Sequence, residues 1–167
     1  SGYHDTWTHV WVLDLATRRL RQITFGEADD ADPAWSPDGR FLACVSNRRP
    51  RADVHFEHGD IFVVPARGGR MRRLTRTSGP KHAPAWSPDG RHIAYLGHRR
   101  FPDTVENVHV WVVPAGRGAE RDLCPAADLM CEDVLLSDAR EFGAGGGPPP
   151  VWSADGRRLF FLASRRG

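Results

Sequence analysis

The sequence predicts an all-β fold, and three observations predict it. The heptapeptide Ala34-Trp35-Ser36-Pro37-Asp38-Gly39-Arg40 recurs unchanged as Ala85-Trp86-Ser87-Pro88-Asp89-Gly90-Arg91, and a degraded copy stands at Val151-Trp152-Ser153-Ala154-Asp155-Gly156-Arg157. Each copy carries turn chemistry ahead of a run rich in β-branched and aromatic residues: proline presets φ, aspartate bonds its own backbone, and glycine supplies φ > 0. Helical periodicity is almost absent, and short apolar runs alternate with turn residues along the chain. Four such strands per repeat describe the blade of a β-propeller, whose sheets pack radially and protect their edges.

Taken in order, Val10 to Leu15 and Leu20 to Thr24 read as two strands joined by a turn, which makes residues 1–24 the outer half of a blade. Phe25 to Asp32 reads as a loop with an acidic cluster, Glu27, Asp29, Asp30 and Asp32. It leads into the first heptapeptide, the strand Phe41–Ser46, the polar loop Asn47 to Gly59, the strand Asp60–Pro65 and the strand Met71–Thr75. Residues 25–75 are therefore a full blade. Residues 76–123 are a second, with strands at Ile93–Leu96, Val110–Pro114 and Arg121–Leu123. Leu13 maps to Val64, Thr24 to Thr75 and Trp35 to Trp86, a period of 51 residues. Residues 124–149 are a long insertion between blades, in which Met130, Val134 and Leu135 suit one side of a short helix. Residues 150–167, with Leu159–Leu162, are the inner half of a further blade. About three blade equivalents result, so the ring is incomplete, since propellers typically hold roughly 4 to 8.

The repeat anchors are the residues singled out as a site: Trp35, Asp38 and Gly39, then Trp86, Asp89 and Gly90, then Trp152, Asp155 and Gly156. Each tryptophan is expected to be the apolar anchor of an inner strand, and each aspartate and glycine to shape the turn. The long segments, Asn47 to Gly59, His98 to Asn107 and Cys124 to Pro149, all fall where antiparallel strands return to the same end of the sheet. One face is thus elaborated, and loops on a rigid scaffold are where binding sits.

Composition excludes several classes. Lys81 is the only lysine among 23 basic residues, and the arginines are scattered among 21 acidic ones rather than gathered in a stripe, so nucleic acid is not an expected partner. No apolar run approaches the length of a spanning helix, and no signal-peptide pattern opens the sequence, so a cytoplasmic, membrane-free location is expected. Cys44, Cys124 and Cys131 are an odd number without zinc spacing and read as reduced packing residues. Asp53, His55, Glu57, His58 and Asp60 alternate on one loop and invite a metal reading; a solvated polar loop is the reading preferred. No nucleophile elbow, phosphate loop or His-Glu-x-x-His occurs, so no catalytic residue and no cofactor is expected.

The repeated Trp-Ser-Pro-Asp-Gly, with the endings Arg21-Gln22-Ile23-Thr24 and Arg73-Leu74-Thr75, resembles the propeller repeat shared by prolyl oligopeptidase-family serine peptidases and TolB-type periplasmic propellers. Ile93-Ala94-Tyr95-Leu96-Gly97-His98, Trp111-Val112-Val113-Pro114-Ala115 and the ending Phe161 to Gly167 are similar to bacterial acylaminoacyl-peptidase-like members of the first group. Ala154, Gly116-Arg117-Gly118 and Cys124 depart from the pattern of the earlier blades. The resemblance implies a two-domain enzyme that cleaves acylated amino acids or short peptides. An α/β-hydrolase domain of the same parent chain would carry the Ser-Asp-His triad, and the propeller would cap it and restrict entry to short or unfolded peptides. None of the triad maps onto this sequence, and a homo-oligomer stays open. The alternative is an interaction propeller of the TolB type, without enzymatic activity.

Overall fold

The computed structural model describes residues 6–52, 54, 58–100, 107–126, 128–131 and 148–164, and the structural statements that follow concern these. They contain twelve strands and no helix. β1 (Trp11–Leu13) and β2 (Leu20–Gln22) form a two-stranded sheet. β3 (Asp30–Trp35), β4 (Phe41–Ser46), β5 (Asp60–Pro65) and β6 (Arg72–Arg73) form a four-stranded sheet in chain order. β7 (Lys81–Trp86), β8 (His92–Gly97), β9 (His109–Pro114) and β10 (Arg121–Asp122) repeat that arrangement. β11 (Val151–Trp152) and β12 (Leu159–Phe160) are again a pair. All neighbours are antiparallel, as in propeller blades.

Strand alternation decides which blade each side chain meets. Leu42, Cys44, Phe62 and Val64 point back onto Val10 and Ile23 of the preceding half-sheet. Ala43, Ile61 and Val63 point forward onto Ile93, Tyr95, Trp111 and Val113. Leu96 and Val110 point forward again, toward Leu159 and Phe161. β4, β5, β8 and β9 are covered on both faces, which is why they read as continuous apolar runs. Cys44 is wholly buried among these side chains, and burial pushes its thiol up to about 12.

The inner strand of each complete blade carries a bulge before its proline. The register slips between Ala31 and Ala34 and again between His82 and Ala85, where Asp32 (φ 51) and Ala83 (φ 52) take the left-handed conformation. Pro33 and Pro84 cannot donate to a ladder, and a bulge is one of the few places a strand accommodates them.

Three expectations are corrected. Trp35 is 51% exposed rather than core, because its indole faces the position of a preceding inner strand and the preceding sheet holds only β1 and β2. Asp30 and Asp32 belong to β3 rather than to the loop that precedes it. Asp30 is buried against Arg48 (2.9 Å) and His9 (3.1 Å), and Asp32 accepts the Ala83 amide (2.9 Å), which the bulge leaves unpaired. Met130 is not helical: it makes an antiparallel bridge with Ser164, while Val134 and Leu135 lie outside the described residues.

Candidate functional site at the blade seams and the loop face

Three copies of one turn open the inner hairpins. In the first, the Ser36 hydroxyl donates to Asp38 (2.6 Å), whose carboxylate also accepts the Arg40 amide (3.0 Å), while Ser36 Oγ accepts the Phe41 amide (2.9 Å). Ser87 with Asp89 and Ser153 with Asp155 repeat these bonds, even though Ala154 replaces the proline in the third copy. The hydroxyl and backbone-amide donors hold all three carboxylates below the usual aspartate range. Gly39, Gly90 and Gly156 sit at φ 67, 69 and 69, where a side chain would be strained. A serine hydroxyl given to an aspartate is a turn element, not a nucleophile.

The same residues tie each blade to the next. Trp86 Nε1 donates to the Ala34 carbonyl and Trp152 Nε1 to the Ala85 carbonyl, both at 3.1 Å. At the outer end Arg21 donates to the carbonyls of Ala66 and Arg67, both at 2.9 Å, and Arg72 donates to those of Ala115 and Gly116. These arginines occupy one position: Arg21 pairs with Val12, Arg72 with Val63 and, in β10, Arg121 with Val112. A cleft of 510 Å³ opens along the first complete seam, between Pro37 and Phe41 on one blade and Trp86 and Pro88 on the next. Its recurrence between Pro88 and Trp152 identifies it as a product of blade packing.

The opposite end carries the long loops and a buried polar network. Asp60, wholly buried, accepts from Arg49 (2.8 Å) and from the Thr75 hydroxyl (2.8 Å). Lys81 Nζ donates to the carbonyls of Thr77 (2.8 Å) and Gly79 (2.7 Å) and lies 3.8 Å from Asp60. Burial lowers the Lys81 ammonium from 10.5 to about 8, against the attraction of Asp60 and Glu120. Glu120 accepts the Arg76 and Thr77 amides (2.8 and 2.6 Å) and the Tyr95 hydroxyl (2.6 Å). Burial raises its pKa, but these donors prevail and hold it below the usual glutamate range. A polar cleft of 730 Å³ lies beside it, lined by Arg99, His109, Asp122 and Asp128, in which His109 Nδ1 meets Asp122 at 2.8 Å. Gly79 is pressed so closely against the His98 carbonyl that a Cβ there would stand 2.0 Å from it, so the loops leading into β7 and out of β8 are in contact.

Of the residues in the metal reading, Asp53, His55 and Glu57 lie outside the described residues, and Asp60 is held by Arg49 and Thr75. Among the described residues no group of three His, Cys, Asp or Glu side chains is placed to hold a metal ion. Trp86 and Trp152 come to the seams with their turns; Trp35 does not. Sequence reasoning missed Arg21, Arg72, Lys81 and Glu120. Arg21 and Arg72 had a legible signal, since they stand one 51-residue period apart; Lys81 stood out only as the sole lysine.

No family model matches the chain. It is 29% identical over 177 residues to the uncharacterized peptidase YuxL of Bacillus subtilis, an alignment that covers 96% of this chain and 26% of that protein. Among solved structures it is similar to a putative TolB from Agrobacterium tumefaciens, with TM-score 0.66 and 22% identity over 93% of this chain and 49% of the other. It is also similar to a puromycin-hydrolyzing peptidase of Mycobacterium tuberculosis, with TM-score 0.60 and 22% identity over 90% of this chain and 21% of the other. The chain thus spans about a quarter of the length of the curated relative. With blades, seams and turns in place, the chain is a β-propeller portion that is similar to part of a protein named as a peptidase and to propellers of TolB-type and peptidase structures.

Proposed function

We propose that this chain is the non-catalytic propeller region of a serine peptidase, which gates substrate access and docks against an α/β-hydrolase domain of the same parent polypeptide. The observation that carries the reading is that nearly the whole chain aligns inside a much longer protein named as a peptidase. The chemistry of the turns agrees with it: the hydroxyls of Ser36, Ser87 and Ser153 are given to aspartates, whereas the family's route needs a serine beside a histidine base and oxyanion donors. In this reading the loop face, with its polar cleft beside Glu120, meets the hydrolase domain, and the substrates are acylated amino acids or short peptides. A cytoplasmic location belongs to the same proposal.

A second reading, a TolB-type interaction propeller without activity, is favoured by the likeness to the Agrobacterium structure. Incubating the purified chain with an N-acylated amino-acid anilide and with a short peptide should release nothing above buffer. Turnover that survives repurification and is abolished by a serine-reactive fluorophosphonate would place an active site in this chain and overturn the reading. In the parent, removal of this region should let long polypeptides be cleaved; an unchanged size limit would contradict the gating role, and a parent polypeptide without peptidase activity would count for the second reading.

A further inference from the structure

Two places past its outermost strand, each of the first two sheets sets a threonine against the backbone of the neighbouring strand. Thr24 accepts the Val10 amide (2.9 Å) and Thr75 the Ile61 amide (3.0 Å). The third copy of this position is Cys124. Leu123 before it donates to the Val110 carbonyl (2.9 Å), as Ile23 does to that of Val10 (2.9 Å) and Leu74 to that of Ile61 (2.8 Å). Here the Val110 amide is accepted not by Cys124 but by the sulfur of Cys131. Where the other sheets place one hydroxyl, this blade places two thiols.

Cys131 is carried back to this point by its own segment. Its amide donates to the Val108 carbonyl (2.8 Å), and Met130 beside it bridges to Ser164. Cys124 is fixed separately, its amide donating to Asp122 (2.8 Å). Cys131 is buried with Leu96 and Val110, and half-buried Cys124 packs against that cluster, its thiol within hydrogen-bond reach of the Cys131 sulfur. Cys44, the third thiol, is wholly buried in a different cluster.

We propose that Cys124 and Cys131, free thiols in this structure, are a reversible redox pair whose disulfide fixes one wall of the polar cleft beside Glu120. The stretch between them supplies Pro125, Ala126 and Asp128 to that cleft, and Asp128 accepts from the Asn107 side chain at 3.3 Å. A bond across its base turns this eight-residue stretch into a closed ring. The oxidant is a peroxide. Cys124, the more exposed sulfur, attacks it and becomes a sulfenic acid as water leaves. The Cys131 sulfur then attacks the Cys124 sulfur; the S–S bond forms, and the sulfenic hydroxyl departs with the Cys131 proton as a second water. Burial and the neighbouring Cys124 push the Cys131 thiol up to about 12, so it stays protonated until Cys124 has been oxidised. A dithiol reductant reverses the bond by exchange. This inference does not rest on the peptidase reading.

The test is peptide mapping of the purified, folded chain after exposure to hydrogen peroxide, with free thiols alkylated before digestion by a protease that cuts ahead of aspartate. Cuts before Asp122, Asp128 and Asp133 separate residues 122–127 from residues 128–132, so the bond appears as one mass joining the two peptides. Wild type is expected to lose the mass of two hydrogen atoms, to give that joined mass, and to lose it again on treatment with a dithiol, with Cys44 reduced throughout. Cys124→Thr restores the residue of the other sheets and is expected to give no joined mass; wild type decides alone should this variant fail to fold. Amide exchange over residues 125–130 should slow severalfold in oxidised wild type and stay unchanged in peroxide-treated Cys124→Thr. Both thiols still free, Cys124 carried on to a sulfinic acid beside a free Cys131, or a bond only between copies would overturn the pairing. A bond within the chain that leaves amide exchange unchanged would overturn its role at the cleft.

Discussion

At Trp86 the indole packs against the core between the two complete blades and its N–H reaches the Ala34 carbonyl, whereas at Trp35 the same motif leaves the ring half exposed. Trp86→Ala should therefore cost about 3 kcal/mol, at the low end for a large aromatic because the ring is only partly buried, and Trp35→Ala about 0.5 kcal/mol or less. Urea unfolding of the two variants checks this, and equal losses would contradict the seam account. The left-handed positions give a pair of opposite sign. A Cβ at Gly90 (φ 69) would meet only Pro37 Cδ, at an unstrained 3.8 Å, so Gly90→Ala should cost about 1 kcal/mol through backbone strain alone. Ala83 (φ 52) already bears that strain, so Ala83→Gly should stabilise by about 0.5 kcal/mol or more while keeping its amide on Asp32. Thermal unfolding of both variants gives the signs.

Between elements, the seam at the loop end depends on charges held out of water. Lys81 keeps its proton to about 10.5 when unfolded and to about 8 when folded, because burial disfavours the ammonium. Between those values the unfolded chain binds more protons, so this group adds stability as pH rises from about 8 toward 10.5; below 8 the cost of burying the charge is fully present. Tyr95 and Cys44 are shifted upward and act in the opposite sense, so the informative quantity is wild type compared with Lys81→Met. That difference should move in favour of wild type by on the order of 2 kcal/mol between pH 7.5 and 10; a difference constant with pH would contradict a desolvated ammonium. This network was not legible in advance, because Asp60, Thr75, Lys81 and Glu120 are scattered over two strands and two loops and meet only through blade packing. The strands were legible because each apolar run is bounded by residues that can only turn. The turn copies were legible because Ser, Asp and Gly act locally, within six residues of one another.

Across the whole molecule, repetition made the blades readable and also misled. One heptapeptide seen three times implied three equivalent anchors, yet burial at each tryptophan is set by the blade before it, which local sequence does not contain. The long loops share one end because antiparallel strands in chain order return there, and Arg49 reaching the Thr77 carbonyl (2.6 Å), with Gly79 bonded to Arg99 (3.2 Å), shows adjacent loops touching at that end. Rigid seams and one elaborated face are what the proposed gating role requires of the scaffold. The most direct measurement labels the polypeptide made from the complete reading frame with a fluorophosphonate and maps the modified peptide. The account predicts a single labelled serine outside residues 1–167; a label on a serine within them, or no labelled serine at all, would contradict it.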